Sequence, residues 1–338
     1  CDVYCDRFMD NCPGYYEDAD NCHAFCELFP QDGEPNATQG NNVQCRIYHG
    51  NLPALGDPDL HCPHGSLTGG DVCGSYCEVY CDMVERNCDA QAVFPDRYSC
   101  MASCEAFPTD GDPVATAGNS VQCRIYHGGY PASQDPALHC PHTSTGGGGV
   151  CGSHCEGYCA QMMAHCPATY GDMAQCLTLC EAIPADGMWN DTAGNSLQCR
   201  TYHASFPAAG EPMTHCPHAG LTGGNVCGDY CEVYCDYIED NCAAQGQFND
   251  RDACMTACAD YSTGGRDGDT SGDSVQCRIY HASYPASQDP ALHCPHAGPD
   301  GAGVCVGDST CERYCDAMLA NCPTAYPDAD ACMAACGL

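Results

Sequence analysis

The sequence predicts a mostly α, small disulfide-rich tandem-repeat protein: an elongated array of five helical hairpins joined by four Cys/His connectors of fixed length. Three observations carry that prediction. The 338 residues include 37 cysteines, a density that marks a disulfide scaffold. A CxxxC pair with a third cysteine seven residues on, as in Cys77, Cys81 and Cys88, recurs five times at a period of 76 to 80 residues. Self-similarity at a fixed period is the signature of a repeat architecture. Finally, 47 residues always separate the last cysteine of a hairpin from the cysteine before the next: Cys26 to Cys73, Cys104 to Cys151, Cys180 to Cys227, Cys258 to Cys305. Loops ordinarily tolerate insertions, so an invariant length with invariant Cys and His positions describes a shaped connector. The expected units are 1–72 (hairpin 1–26, connector 27–72), 73–150, 151–226 and 227–304, with a terminal hairpin at 305–338.

Composition sets the chemical context. Cysteines at this density persist as disulfides outside the cytoplasm, which favours an extracellular or cell-surface protein. No signal peptide is evident, so the numbered chain reads as a mature form. No apolar run is long enough to span a bilayer. Lysine is absent and the formal net charge is -35; such a surface repels nucleic acid and anionic lipid and attracts cations.

In each hairpin, helical offsets of 0, 4 and 11 fall within about 40° on a wheel, so the three thiols share one stripe of the first helix. A second CxxxC follows, and an aspartate stands four residues ahead of it: Asp18, Asp96, Asp172, Asp250 and Asp328. That is the N-cap position, where a carboxylate accepts from unsatisfied first-turn amides. Antiparallel helices pair outer with outer and inner with inner cysteines: Cys1–Cys26, Cys5–Cys22, Cys77–Cys104, Cys81–Cys100, Cys155–Cys180, Cys159–Cys176, Cys231–Cys258, Cys235–Cys254, Cys311–Cys336 and Cys315–Cys332. The CxxxC…CxxxC arrangement resembles the α-hairpinins, disulfide-stapled helical hairpins. The resemblance spans about 28 residues per unit and implies a fold, not an activity.

The connector opens with a capping-box pattern, Asn41/Gln44, Asn119/Gln122, Asn195/Gln198 and Asp273/Gln276. A short helix then carries Cys123, Arg124, Tyr126 and His127 or their equivalents. An acidic residue followed by proline (Asp57-Pro58, Asp135-Pro136, Glu211-Pro212, Asp289-Pro290) starts a second turn at the aspartate copies. That turn delivers His139, Cys140 and His142. Arg46, Arg124, Arg200 and Arg278 are expected to pair with connector carboxylates.

Three cysteines per unit remain. The one before each hairpin and the third of its helix stand about 20 Å apart along a continuous helix, beyond disulfide reach. The expected bridges are therefore Cys12–Cys45, Cys62–Cys73, Cys88–Cys123, Cys140–Cys151, Cys166–Cys199, Cys216–Cys227, Cys242–Cys277 and Cys294–Cys305, with Cys322 unpaired.

Twelve of the 15 histidines form four identical triplets: His49/His61/His64, His127/His139/His142, His203/His215/His218 and His281/His293/His296. Three imidazoles with an open position suit copper or zinc, about four ions per chain. The competing reading makes the histidines structural, in a surface or filament subunit. Haem is disfavoured because C-x-x-C-H is absent. No nucleophile–base set or phosphate loop is present, so no enzyme activity and no catalytic residue is expected. The terminal hairpins suit head-to-tail self-assembly. Cys1 is assigned to the first hairpin in preference to lipid acylation.

Overall fold

The computed structural model describes residues 1–306 together with positions 318, 322, 326, 331, 332 and 335. Of the expected terminal hairpin, Cys311, Cys315, Cys336 and the cap Asp328 lie outside the described residues, and with them the pairs Cys311–Cys336 and Cys315–Cys332. The chain divides into two compact units, Cys1–Gly220 and Leu221–Leu338. Among the described residues both are helical, without strands.

The first unit holds three copies of one five-helix motif. In the first copy these are α1 (Asp2–Asn11), α2 (Ala19–Cys26), α3 (Val43–His49), α4 (Leu52–Gly56) and α5 (Pro58–Gly65). The second has α6 (Tyr76–Asn87), α7 (Arg97–Cys104), α8 (Val121–Gly128), α9 (Tyr130–Gln134) and α10 (Pro136–Thr143). The third has α11 (His154–His165), α12 (Met173–Cys180), α13 (Leu197–Ala204), α14 (Phe206–Gly210) and α15 (Pro212–Ala219). The second unit repeats the motif as α16 (Tyr230–Cys242), α17 (Arg251–Cys258), α18 (Val275–Ala282), α19 (Tyr284–Gln288) and α20 (Pro290–Ala297).

Local chemistry explains where these helices begin. Asp18, Asp96, Asp172 and Asp250 each accept from the amide three residues on, at 2.8 Å. Asp57, Asp135 and Asp289 cap α5, α10 and α20, each with proline at the first helical position. Glu211 makes no such bond at α15. The connector cap is displaced by one residue from the expected box. Asn42, Ser120, Ser196 and Ser274 cap the amides of Cys45, Cys123, Cys199 and Cys277. The side chains of Gln122, Gln198 and Gln276 instead reach back to the carbonyls of Thr109, Ala185 and Thr263.

Two buried polar side chains organise each motif. Tyr4, Tyr80, Tyr158 and Tyr234 donate to the carbonyls of Gly65, Thr143, Ala219 and Ala297, pinning the last connector helix onto the first hairpin helix. The arginine is the other hub, and it does not chiefly pair with carboxylates. Arg124 is fully buried. It donates from Nε to Ser144 O (3.2 Å), from Nη1 to Ser120 O (3.1 Å) and Asn119 Oδ1 (3.0 Å), and from Nη2 to Thr145 O (3.2 Å). Its guanidinium lies 4.1 Å from the Phe107 ring centroid. A planar fork with five donors matches several carbonyls at once, which no carboxylate partner was required to do. Arg278 adds a carboxylate, Asp273, at 3.0 Å.

The hairpin staples Cys1–Cys26, Cys5–Cys22, Cys77–Cys104, Cys81–Cys100, Cys155–Cys180, Cys159–Cys176, Cys231–Cys258 and Cys235–Cys254 are in place. The connector bridges are exchanged relative to expectation. Cys12 bonds Cys62 and Cys45 bonds Cys73, replacing Cys12–Cys45 and Cys62–Cys73. Cys88–Cys140 and Cys123–Cys151 replace Cys88–Cys123 and Cys140–Cys151. Cys166–Cys216 excludes both Cys166–Cys199 and Cys216–Cys227. Cys242–Cys294 and Cys277–Cys305 replace Cys242–Cys277 and Cys294–Cys305.

The cause is the direction of α8. Its C-terminal end meets the C-terminal end of α6, where Asn87 Nδ2 donates to Gly128 O and Gly129 O. Cys123 is then about 7 Å back along α8, at 1.5 Å per residue. The segment ahead of α8 is tied to the residue before Cys151 by Gly118 N to Val150 O, 2.9 Å. Cys123 is thereby delivered to Cys151, and α10 folds back to deliver Cys140 to Cys88. Cys322 is an exposed free thiol.

Successive copies in the first unit also touch, α2 with α9 and α7 with α14. At the first of these contacts a Cβ on Gly129 would lie 2.5 Å from a ring carbon of Phe25, so glycine there is what allows the close approach.

Candidate metal centre

Each connector assembles its three histidines from two helices. In the second copy His127 lies in the last turn of α8, while His139 and His142 lie one turn apart on α10 with Pro141 between them. The antiparallel return set by the Cys88–Cys140 bridge brings the two helices together. All twelve expected histidines are gathered in this way. His49, His61 and His64, and likewise His127, His139 and His142, have ligand nitrogens within 4.8 Å of one another. In the remaining copies the ring centroids of His203, His215 and His218 are 5.0 to 5.7 Å apart, and those of His281, His293 and His296 are 4.9 to 5.8 Å apart.

The first histidine is buried and its tautomer is determined by its surroundings. His49, His127, His203 and His281 place Nε2 at 3.0 to 3.1 Å from the carbonyls of Thr38, Thr116, Thr192 and Thr270. A carbonyl only accepts, so Nε2 carries the proton and Nδ1 presents a lone pair. That Nδ1 faces the Nδ1 of His61, His139, His215 or His293 at 2.9 to 3.0 Å. The third Nδ1 is 3.4 Å from His127 in the second copy. In the other copies the Nδ1 atoms of His64, His218 and His296 are buried without a hydrogen-bond partner.

These separations are ones that a metal ion could bridge. With metal–nitrogen bonds of about 2.0–2.1 Å, two ligands subtending 90–110° lie about 2.9–3.4 Å apart. Holding the far ring nitrogen on a backbone carbonyl is also how metal-binding imidazoles are oriented and made more basic. The cysteines beside the site are not available as ligands or for thioether attachment, because Cys45, Cys62, Cys123 and Cys140 are all in disulfides. The donor set is three imidazoles. A tyrosine ring stands edge-on against the first histidine in every copy, Tyr48, Tyr126, Tyr202 and Tyr280, with centroids 5.1 to 5.2 Å away.

Burial, reinforced by the neighbouring imidazoles, lowers the pKa of His49, His64, His127, His203, His218, His281 and His296, and takes His142 down to about 4. These rings are neutral, and so able to ligate, at pH 7. For metal-free protein the sign follows by linkage: below about pH 6.5 the unfolded chain binds protons that the folded chain refuses, so stability falls as pH drops. For His142 that loss runs from about 6.5 down to about 4. Chelated protein is expected to melt at a lower temperature at pH 4.5 than at pH 7. The difference should shrink in His142→Gln; an equal shift in both proteins refutes the assignment.

The threonine carbonyls were missed by sequence reasoning, although a signal existed. Thr38, Thr116, Thr192 and Thr270 stand eleven residues ahead of the first histidine in every copy. Because the contact is made by backbone, residue type alone does not announce it.

Comparison with known proteins places this architecture. The BfoA family C-terminal domain matches residues 2–76, 153–230 and 229–310, each match running from a hairpin through its connector to the start of the next hairpin. Among curated relatives, two Aurasperone B biosynthesis cluster proteins A from Aspergillus niger strains are 42% identical over 59 residues, 16% of this chain and 19% of theirs. Bifonsecin B biosynthesis cluster protein A from Aspergillus brasiliensis is likewise 42% identical over 59 residues, 16% of this chain and 20% of its own. The aligned stretch thus spans about a fifth of the length of these relatives. No solved structure matches the chain. Three tandem matches cover well over half of the sequence, and the chain belongs to the BfoA C-terminal domain family.

Proposed function

We propose that each connector binds one transition-metal ion, copper or zinc, through the Nδ1 atoms of its three histidines, giving about four ions per chain, in a protein that works outside the cytoplasm. One observation carries the reading. A threonine carbonyl commits the first histidine to present a bare Nδ1, and the facing Nδ1 can satisfy it with a proton, but a third buried Nδ1 then has no partner. One cation satisfies all three lone pairs, whereas a purely structural role leaves a buried acceptor unmet in three of the four copies. Copper ranks ahead of zinc because the donors are all imidazole and the cysteines are oxidised. The disulfide density supports the extracellular setting, and no described helix is long and apolar enough to cross a membrane. The relatives are named for biosynthesis clusters, and supply of metal ions in such a setting is the role this array would serve. End-to-end self-association remains part of this proposal, and light scattering that shows only monomers at all concentrations would remove it.

The test is elemental analysis of protein purified without chelator or metal-affinity resin, then reloaded with Cu(II) or Zn(II). Wild type should hold about four ions. Replacing His127, His139 and His142 by alanine should remove one ion and leave the disulfide count unchanged. No binding to correctly bridged protein in excess metal overturns the reading.

A further inference from the structure

Beside the metal centres, the first unit contains two cavities that no role has yet absorbed, and they are the same cavity built twice. The first, about 220 Å³, is lined by Tyr15, Tyr16 and Phe25 of the first hairpin and by Val114, Thr116 and Tyr126 of the second connector. The second, also about 220 Å³, is lined by Phe94 and Thr145 of the second repeat and by Trp189, Thr192, Tyr202 and Phe206 of the third. Tyr126 corresponds to Tyr202 and Thr116 to Thr192 in the repeat register.

The walls keep their chemistry while changing their residues. In the first cavity the hairpin supplies the rings: Phe25 lies 5.9 Å from Tyr126 and 5.9 Å from Tyr16 between ring centroids. Position 25 corresponds to Ser103 in the next copy, and there the connector supplies the further rings while Phe94 keeps the place of Tyr16. Trp189, the only tryptophan of the chain, occupies the place of Pro113, and Phe206 packs edge-on against Tyr202 at 5.3 Å. The two junctions keep a ring at Tyr16/Phe94 and at Tyr126/Tyr202, exchange Phe25 for Ser103 and Pro113 for Trp189, and still present aromatic-walled spaces of equal volume. Ligand sites have this character: mostly apolar and aromatic walls with a few polar groups. The polar groups here are tyrosine, threonine, serine, asparagine and Glu17, without a lysine or arginine. The walls therefore offer hydrogen bonds but no counter-charge for an anion.

We propose that each of these inter-repeat cavities binds a neutral, planar, hydroxylated aromatic molecule stacked against the conserved connector tyrosine. The ligand would lie beside the metal centre without reaching it, because the shared tyrosine packs edge-on against the first histidine and the shared threonine supplies its carbonyl. The proposal uses no metal ion and stands or falls apart from the metal reading.

The probe is 2-naphthol, with its saturated analogue 2-decalol as the shape control. It is titrated into chelator-treated full-length protein by calorimetry, with saturation-transfer NMR as a second readout. Saturable binding of about two naphthol molecules per chain, with decalol at least tenfold weaker, is the expected result. Phe206→Ala should abolish one site. Val114→Trp, which fills the first cavity without removing any packed side chain, should abolish the other. Overturning results are a linear, unsaturable response, equal affinity for decalol, or binding unaffected by both variants in proteins whose helicity and disulfide count match wild type.

Discussion

Arg124→Leu is expected to unlock the second repeat while leaving its disulfides closed. Leucine fills much of the volume, but the buried carbonyl of Thr145 loses its donor, and those of Ser120 and Ser144 keep only the backbone amides of residue 124 and Gly147. The one orphaned acceptor costs about 1–3 kcal/mol, and each further hydrogen bond lost from a charged donor adds to it, so a net loss of about 3 kcal/mol is expected. Burial holds the arginine's pKa down to about 10, so the side chain is still a cation at neutral pH and the Phe107 ring contact is lost as well. Lysine should not rescue, since a point ammonium cannot span carbonyls that a planar fork meets at fixed angles. Hydrogen exchange is the appropriate readout, because local opening is reported amide by amide. Amides of residues 121–128 should exchange about 100-fold faster, the equivalent of about 3 kcal/mol. Those of the first repeat should be unchanged. Unaltered exchange in 121–128 would make the buried arginine a spectator.

The connector bridges provide the second large effect. Replacing both Cys88 and Cys140 by alanine removes one bridge, closing 52 residues, and should leave no new thiol. By the chain-entropy relation that loop is worth about 4 kcal/mol. Replacing Cys88 and Cys123 together breaks two bridges and strands Cys140 and Cys151, so thiol titration should find two additional reactive groups. The opposite pattern would restore the pairing expected from the sequence. Loss of the Cys88–Cys140 bridge should also weaken metal loading in the second connector, because that bridge fixes α10, the helix that presents His139 and His142.

Much of this molecule was legible before any coordinates. The hairpins, their N-capping aspartates and their paired staples follow from periodicity and cap chemistry, which act over one or two helical turns and so are written locally. The histidine triplets were also visible, because an array repeats its chemistry with its spacing. Asn119 and Ser120 show where local reading stops. Both residues are credible caps, and the choice between them was made by Arg124, which claims the Asn119 carboxamide from inside the core.

The sequence by itself determined the repeat, the helices, the disulfide-rich class and the set of twelve histidines, since each depends on residues a few positions apart. Only the tertiary structure decided which connector cysteines meet, which histidine nitrogens face inward and what encloses the inter-repeat cavities. The physical reason is common to all three. Four cysteines at the ends of two short helices can be bridged in more than one way, and the outcome depends on which ends approach. That direction is set by contacts such as the Asn87 carboxamide with the Gly128 carbonyl and the Gly118 amide with the Val150 carbonyl, in each of which at least one partner is a backbone group that every residue carries. The threonine carbonyl that orients each first histidine is of the same kind. Side-chain identity specifies the pieces, and contacts to backbone groups over long sequence separations specify how they close.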